Sequence, residues 1–121
     1  FDAYELASKI IRSATKSIYL IDNYIDESTL TQLSKKNKNV IVTLLTKNSS
    51  KQLELDIKKA NEQYRNFELK TFNKSHDRFL IIDEKTVYHL GASLKDLGKK
   101  WFAFTKMDSY SVENILNSIK K

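Results

Sequence analysis

His76 and Arg78 stand two positions apart, and the apolar run 79–82 and then Asp83 follow them in an H-x-R-x4-D pattern. A neutral imidazole can attack phosphorus while a nearby cation stabilises the phosphoryl oxygens and a second proton carrier assists the leaving group. An ordinary histidine titrates at about pH 6.5, so it can serve in either role near neutrality. The pattern therefore indicates phosphodiester chemistry, with His76 as nucleophile and Arg78 as phosphate ligand.

Strand geometry is expected to hold these two side chains together. Side chains alternate faces in an extended segment, so His76 and Arg78 are predicted to project from one side while residues 79–82 anchor the strand in a core. Asp83 lies five positions beyond Arg78, roughly 16 Å at strand rise, and cannot touch the same phosphate. We expect Asp83 to fix the following turn through backbone hydrogen bonds.

The rest of the chain alternates helical and extended patterns. The predicted helices are 2–14, capped by Asp2, then 27–36, 49–64, capped by Ser49 or Ser50, and 109–120. The apolar stripe of helix 49–64 is predicted to be Leu53, Ile57, Ala60 and Tyr64. The predicted strands are 17–22, 39–46, 67–72, 79–82, 86–90 and 101–105. Strand 39–46 is apolar enough to be buried on both faces, whereas strand 67–72 alternates and belongs near an edge. This order predicts an α/β sandwich in which helices flank a mixed central sheet.

Length and composition set further bounds. A chain of 121 residues fits one domain, and its start at Phe1 suggests a piece of a longer protein. The absence of cysteine excludes disulfides and thiolate chemistry and fits a cytoplasmic location. No apolar run approaches the roughly 20 residues of a membrane span, and no signal-peptide pattern opens the chain. We therefore expect a soluble domain without a membrane partner.

The positive charge is concentrated around the motif. The formal net charge is +6, and residues 70–106 hold eight basic and four acidic residues, a net of +4. A solvated lysine surface explains such a charge as readily as a polyanion-binding surface does. The position of His76 within the basic segment favours the second interpretation.

The motif and the layout around it resemble the phospholipase D superfamily, whose signature is H-x-K-x4-D followed by a glycine-serine-x-asparagine loop. In this chain His76, Arg78 and Asp83 carry the first pattern, and the loop reads Gly91-Ala92-Ser93-Leu94-Lys95. The resemblance covers most of the chain, but its specific part is about thirty residues. It implies a phospholipase D-like α/β sandwich and a metal-independent reaction without cofactor, through a phosphohistidine at His76.

Further site residues follow from the resemblance. It makes His76, Arg78 and Asp83 the catalytic set, and it implies a homodimer in which the two copies of His76 share one cleft, one attacking and the other acting as acid. Candidate phosphate ligands are Gly91, Ser93 and Lys95, and candidate nucleic-acid contacts are Lys74, Lys99 and Lys100.

This chain departs from the family pattern in three places. Arg78 replaces lysine, and a planar guanidinium is larger than an ammonium and needs different neighbours. Seven residues rather than six separate Asp83 from Gly91, and the loop lacks the asparagine. Lys95, two residues after Ser93, is predicted to place an ammonium group at the site.

Two other features have simpler interpretations. His89 lies between Tyr88 and Leu90 in a predicted strand, so we interpret it as a packed or partly exposed strand residue. Residues 101–104 include three aromatic side chains and favour a core or dimer contact, although Trp101 beside Lys99 and Lys100 also suits base stacking.

Three functions remain open from the sequence. The first is a dimeric phosphodiesterase of the nuclease branch, because a basic domain without a membrane-binding helix favours nucleic acid over phospholipid. The second is a domain that has lost catalysis and serves nucleic-acid binding or dimerisation in a larger regulatory, DNA-binding or mobile-element protein. The third, a lipid-processing enzyme, is the least favoured.

Overall fold

A computed structural model describes residues 2–97 and 103–120 of the chain. Its α-helices are α1 (Ala3–Ser13), α2 (Glu27–Leu33), α3 (Lys51–Gln63) and α4 (Ser109–Lys120). Its strands are β1 (Ser17–Ile21), β2 (Ile41–Thr46), β3 (Phe67–Thr71), β4 (Arg78–Ile82), β5 (Thr86–Leu90) and β6 (Phe104–Lys106). A single 3-10 turn, Leu94–Asp96, follows β5 in the described part of the chain.

The strands form one mixed sheet in the order β3-β2-β1-β4-β5-β6. Strands β1, β2 and β3 are parallel, and β4, β5 and β6 each run antiparallel to the neighbour on their β1 side. Consequently β1, β2, β3 and β5 end at the same edge of the sheet at which β4 and β6 begin. We call this the C-terminal edge and the opposite one the N-terminal edge.

Helices cover both faces of the sheet. Helices α1, α2 and α3 and the 3-10 turn pack on one face, where the fully buried strand residues include Ile18, Leu20, Val42, Leu44 and Leu80. Helix α4 packs on the other face, against Ile21, Leu45, Ile81 and Val87. Each buried Leu or Ile side chain contributes roughly 1.5–3 kcal/mol, so the sheet is a firmly packed platform for residues at its edges.

Most predicted elements are confirmed. Asp2 caps α1 by accepting the Glu5 N–H, and Ser50 caps α3 by accepting the Leu53 N–H. Strand β3 is an outermost strand of the sheet, as predicted, and β2 is buried on both faces from its second residue onward. The α/β sandwich predicted from the order of elements is the observed architecture.

Three local predictions are wrong. Helix α2 ends at Leu33 rather than near residue 36, and β6 is assigned at Phe104–Lys106 rather than over 101–105, of which 101 and 102 lie outside the described residues. Tyr64, predicted on the buried stripe of α3, is the C-cap of that helix and is 39% exposed. Because Tyr64 lies at the end of the helix, it does not follow the helical spacing that keeps the other apolar residues of α3 buried.

The connection from β3 to β4 runs along the C-terminal edge. Because β2 and β1 lie between these two strands in the sheet, residues 72–77 must pass the ends of both, about 14 Å at ordinary strand spacing. We call residues 72–77 the crossing segment. It carries His76, and it delivers the chain to Arg78, the first residue of β4.

Candidate functional site

His76 and Arg78 both lie at the C-terminal edge, but not on one regular strand. Strand β4 begins at Arg78, and His76 lies in a bend of the crossing segment, where the Ser75 hydroxyl donates to the Asp77 carbonyl at 2.9 Å. The strand alternation predicted to align the two side chains therefore does not extend to His76. Neither side chain has a hydrogen bond or ion pair to any residue of the described ranges, so both remain available to a ligand.

Strand register places Arg78 on the face covered by α1, α2 and α3. It pairs with Leu90 on β5, and it shares a face with Leu80 because side chains alternate along β4. Ile21 on β1 pairs with Phe79, so the next position along β1, Asp22, stands beside Arg78 at the edge. Arg78 is half-buried there, a setting that leaves a guanidinium partly desolvated and suited to an anion.

Asp22 and Ser93 form the main polar contact of this edge. The Ser93 hydroxyl lies 2.8 Å from Asp22 Oδ2 and 3.1 Å from the Tyr24 carbonyl. The backbone N–H groups of Tyr24 and Leu94 also donate to the Asp22 carboxylate, at 2.9 and 3.0 Å. Asp22 is 1% exposed and Ser93 2% exposed. The Ser93 hydroxyl, expected from the resemblance to be a phosphate ligand, is thus bonded within the protein in this arrangement.

The other loop residues also have partners in the protein. The Gly91 N–H donates to the Ala103 carbonyl at 2.9 Å, and a Cβ on Gly91 would come within 3.3 Å of the Ala103 nitrogen. A side chain here would press on the Ala103 backbone, so glycine suits this close approach of two backbones. Lys95 lies in the 3-10 turn with its ammonium 3.2 Å from Asp96 Oδ1. An anion binding to Lys95 would compete with that carboxylate.

Asp83 lies at the N-terminal edge, at the far end of β4 from Arg78. Its carboxylate accepts the backbone N–H groups of Thr15, Lys16 and Ser17, at distances of 2.7–3.1 Å. Burial raises the pKa of Asp83, but these hydrogen bonds outweigh it and hold the pKa below its ordinary value. Asp83 therefore ties the hairpin turn to the start of β1.

The turn at Asp83 also carries backbone strain. Asp83 and Glu84 both have φ near 55°, a left-handed conformation that non-glycine residues rarely adopt. The Lys85 N–H closes the turn on the Ile82 carbonyl at 3.0 Å. The carboxylate contacts of Asp83, made to a segment outside the turn, offset the cost of that conformation.

The candidate nucleic-acid contacts are only partly within the described residues. The Lys74 ammonium lies in the crossing segment, 3.4 Å from the Ser118 carbonyl near the end of α4. Lys99, Lys100 and Trp101 lie outside the described residues.

His89 is a strand residue, as predicted, and it lies on the α4 side of the sheet. Its ring meets the Phe79 ring edge to face, with centroids 5.4 Å apart, and its Nε2 lies 3.6 Å from Asp77 Oδ1. The side chain is 38% exposed. Asp77, which stands between His76 and Arg78 in the chain, thus points toward His89 in the neighbouring strand.

Two negative observations apply to residues 2–97 and 103–120. There, no three His, Asp or Glu side chains come close enough together to hold a metal ion. None of the helices in those ranges has the length and apolar character that a membrane crossing requires.

Sequence reasoning missed Asp22 as the partner of Ser93. A signal was present, because Asp22 is an acidic residue placed directly after a buried parallel strand, where functional side chains often gather. The Asp77–His89 pair had no comparable signal, since only the register of β4 and β5 brings Asp77 near His89.

Comparison with known proteins identifies similar folds. No protein-family model matches the chain, and no curated protein matches it. NucT from Helicobacter pylori has a similar structure, with a TM-score of 0.65 and 14% identity over 95% of this chain and 83% of NucT. TrmBL2, an archaeal chromatin protein whose structure shows a novel mode of DNA binding, gives a TM-score of 0.58 and 16% identity over 98% of this chain and 47% of its own.

Identities this low carry the fold alone. The predicted α/β sandwich, with a mixed central sheet flanked by helices, is confirmed, and it is similar to the fold of NucT. This chain spans about half the length of TrmBL2.

Proposed function

We propose that this domain belongs to the phospholipase D superfamily and is a metal-independent phosphodiesterase that acts on nucleic acid at the C-terminal edge of its sheet. His76 is the nucleophile and Arg78 binds the phosphate. The working form is a cytoplasmic homodimer in which the second copy of His76 supplies the acid.

The observation that carries this proposal is the meeting of distant segments at one edge. The crossing segment brings His76, β4 begins there with Arg78, and the loop after β5 is joined to the end of β1 through the Ser93–Asp22 hydrogen bond. An exposed imidazole and a half-buried guanidinium, neither bonded to a described side chain, lie at the same edge as that contact. This arrangement suits a phosphodiester laid along the edge.

The chemistry requires only groups that the dimer contains. The His76 imidazole nitrogen attacks phosphorus while the bond to the leaving oxygen breaks, and the partner's His76 donates a proton to that oxygen. Water then attacks the phosphohistidine, giving up its proton to the partner's imidazole and releasing His76. Arg78 stabilises the charge on the phosphoryl oxygens in both steps.

Charge and fold together favour a nucleic-acid substrate. The segment 70–106 has a net charge of +4 around His76, and phosphate contacts to lysine and arginine provide most of non-specific nucleic-acid affinity. A similar fold occurs in TrmBL2, described as a DNA-binding chromatin protein. Both facts support a polyanionic substrate.

The test is hydrolysis of single- and double-stranded nucleic acid and of an aryl phosphodiester, with EDTA present. We expect His76→Ala to lower turnover at least about a thousandfold, as loss of a nucleophile does in other enzymes. His89→Gln is the matched control, because His89 packs on Phe79 across β4 and β5, and it should retain activity. Equal turnover by wild type and His76→Ala would exclude His76 as the nucleophile.

A second candidate function is nucleic-acid binding without catalysis. It is favoured by Arg78 in place of the family's lysine and by the bond that already engages the Ser93 hydroxyl. In that case neither the wild type nor any variant hydrolyses the substrate. The binding constant still falls with salt concentration, at a log-log slope of about −0.9 for each phosphate contacted on duplex DNA. A flat salt dependence would exclude both candidate functions.

A further inference from the structure

A cavity of about 180 Å³ lies between the crossing segment and α4. Phe72, Lys74 and Ser75 line it from the crossing segment, and Asn114 and Ser118 line it from α4. The floor is formed by sheet residues at the C-terminal edge, including Phe79 at the start of β4. We call it the α4 cavity.

The walls of the α4 cavity combine aromatic surface with one uncommitted amide. The Phe72 and Phe79 rings are half-buried, and Phe79 is held in place by its edge-to-face contact with His89. The hydroxyls of Ser75 and Ser118 already donate to backbone carbonyls. Asn114 is exposed, and its amide makes no hydrogen bond within the described ranges, so it can offer two donors and an acceptor to a ligand.

The cavity and the Arg78 side chain lie on opposite faces of the sheet, and the crossing segment at the C-terminal edge connects them. Ser75 lines the cavity, and His76 is the next residue in the chain. Lys74 also lines it, with an ammonium that reaches the Ser118 carbonyl at 3.4 Å, a long and weak hydrogen bond that a phosphate can replace. A nucleotide whose phosphate lies at His76 therefore has an aromatic, amide-bearing recess within reach of its base.

We propose that the α4 cavity holds one unpaired nucleobase of the bound strand, packed against Phe72 and Phe79 and hydrogen-bonded at its edge by Asn114. The inference rests on the proposed function and specifies its substrate as nucleic acid with an accessible, unpaired base. Base stacking on aromatic side chains contributes to single-strand binding, and an asparagine amide matches the donor and acceptor pattern of a base edge.

The chemistry of the walls favours a base over an acyl chain or a duplex. An acyl chain offers no hydrogen-bond partner to the Asn114 amide or the Lys74 ammonium, so it gains nothing from the polar part of the lining. A base in a duplex is stacked and paired, so it cannot enter a recess behind the strand end without being extruded. Only an unpaired base uses the rings, the amide and the cation together.

The experiment compares a short single-stranded oligonucleotide with an abasic strand of the same length, by fluorescence anisotropy at fixed salt. The wild type is expected to bind the base-containing strand at least about fivefold more tightly, since a base-edge hydrogen-bond pair discriminates by this factor or more. Asn114→Ala should reduce that preference, because the base can still stack on the rings, and Asn114→Trp, which fills the cavity, should abolish it. Neither should weaken binding of the abasic strand.

Asn117 provides the matched control, because it is an exposed asparagine on the same helix and does not line the cavity. Asn117→Ala and Asn117→Trp should behave as the wild type. Circular dichroism of all four variants verifies that α4 remains folded, and alanine favours the helix in any case.

The outcomes separate the inference from the proposed function. Equal binding of both strands by the wild type, with affinity still lost in Arg78→Ala, would overturn the base pocket and leave phosphodiester binding intact. A base preference that survives Asn114→Trp would overturn the assignment to the α4 cavity. Failure to bind either strand would reject both the proposed function and the inference.

Discussion

At the scale of single residues, the candidate site depends on a buried carboxylate that the motif does not include. Asp22 holds the exit of β1 to the loop after β5, and Ser93 is its link to that loop. The Ser93 hydroxyl therefore affects the site by positioning the backbone of the loop after β5. The role of Ser93 as a phosphate ligand, implied by the family resemblance, stays a prediction.

Ser93→Ala separates these two roles. Loss of the hydroxyl removes a hydrogen bond to a buried carboxylate, so we expect the free energy of unfolding to fall by about 2 kcal/mol. Urea denaturation followed by tryptophan fluorescence measures it. Ser49→Ala is the control, because the Ser49 hydroxyl makes only a surface contact with Glu54 at 3.4 Å.

A different result would favour the phosphate role. If Ser93→Ala is as stable as the wild type but binds nucleic acid more weakly, then Ser93 contacts the ligand and its bond to Asp22 is dispensable. If stability falls and the affinity of the folded protein is unchanged, Ser93 serves the fold.

At the scale of elements, β4 runs from the C-terminal edge of the sheet to the N-terminal edge. Its first residue, Arg78, faces the candidate site, and the residue after its end, Asp83, bonds the segment that begins β1. Both Arg78 and Asp83 thus contribute to the site, but Asp83 does so by fixing the position of β4. Fixing the far end of β4 also fixes the position of Arg78 along the sheet, because strand register is continuous.

Asp83→Asn tests this anchor through the pH dependence of stability. The folded pKa of Asp83 lies below its ordinary value, while an unfolded aspartate titrates at about 3.9. The stabilisation is therefore fully present above about pH 4 and is lost as the pH falls through the folded pKa. We expect Asp83→Asn to be less stable than the wild type at pH 7, by about 1–2 kcal/mol for the loss of a charged acceptor.

The difference between Asp83→Asn and the wild type should shrink in acid, when both carry an uncharged side chain. Thermal unfolding from pH 7 down to pH 2 measures it. Glu62→Gln is the control, since Glu62 is exposed on α3 and makes no hydrogen bond or ion pair within the described residues, and it should show little effect. A gap that is constant across this range would mean that the Asp83 charge does not carry the stabilisation.

At the scale of the whole molecule, the fold provides one His76 at one C-terminal edge. A reaction that uses one His76 as nucleophile and another as acid therefore needs a second copy of the chain. A closed two-fold arrangement would place the two C-terminal edges face to face, each subunit giving its histidine to a shared cleft.

Light scattering and subunit mixing test the shared cleft. We expect a dimer, and we expect wild type co-expressed with an equal amount of His76→Ala to retain about one quarter of the wild-type activity, against about one half if each subunit works alone. The same experiment with His89→Gln as partner should retain full activity. A strict monomer with full activity would make the paired-histidine mechanism untenable.

Local sequence patterns were sufficient to predict the elements and their order. Apolar spacing and caps operate over a few residues, so α1 with its Asp2 cap, α3 with its Ser50 cap and the β4-turn-β5 hairpin could be predicted from short windows. The fold class followed because alternating elements have few ways to bury their apolar faces. The motif was visible for the same reason, since it is a local pattern.

Which distant groups meet depends on how the elements pack, and short sequence patterns carry no information about that packing. The Ser93–Asp22 bond spans 71 positions and the Asp83–Thr15 bond spans 68, and no short window contains both partners. The bend at His76 follows from the sheet order, which makes residues 72–77 pass two strands before β4 begins. The α4 cavity arises likewise, because the crossing segment and α4 are separate in sequence and are brought together only by packing on one face of the sheet.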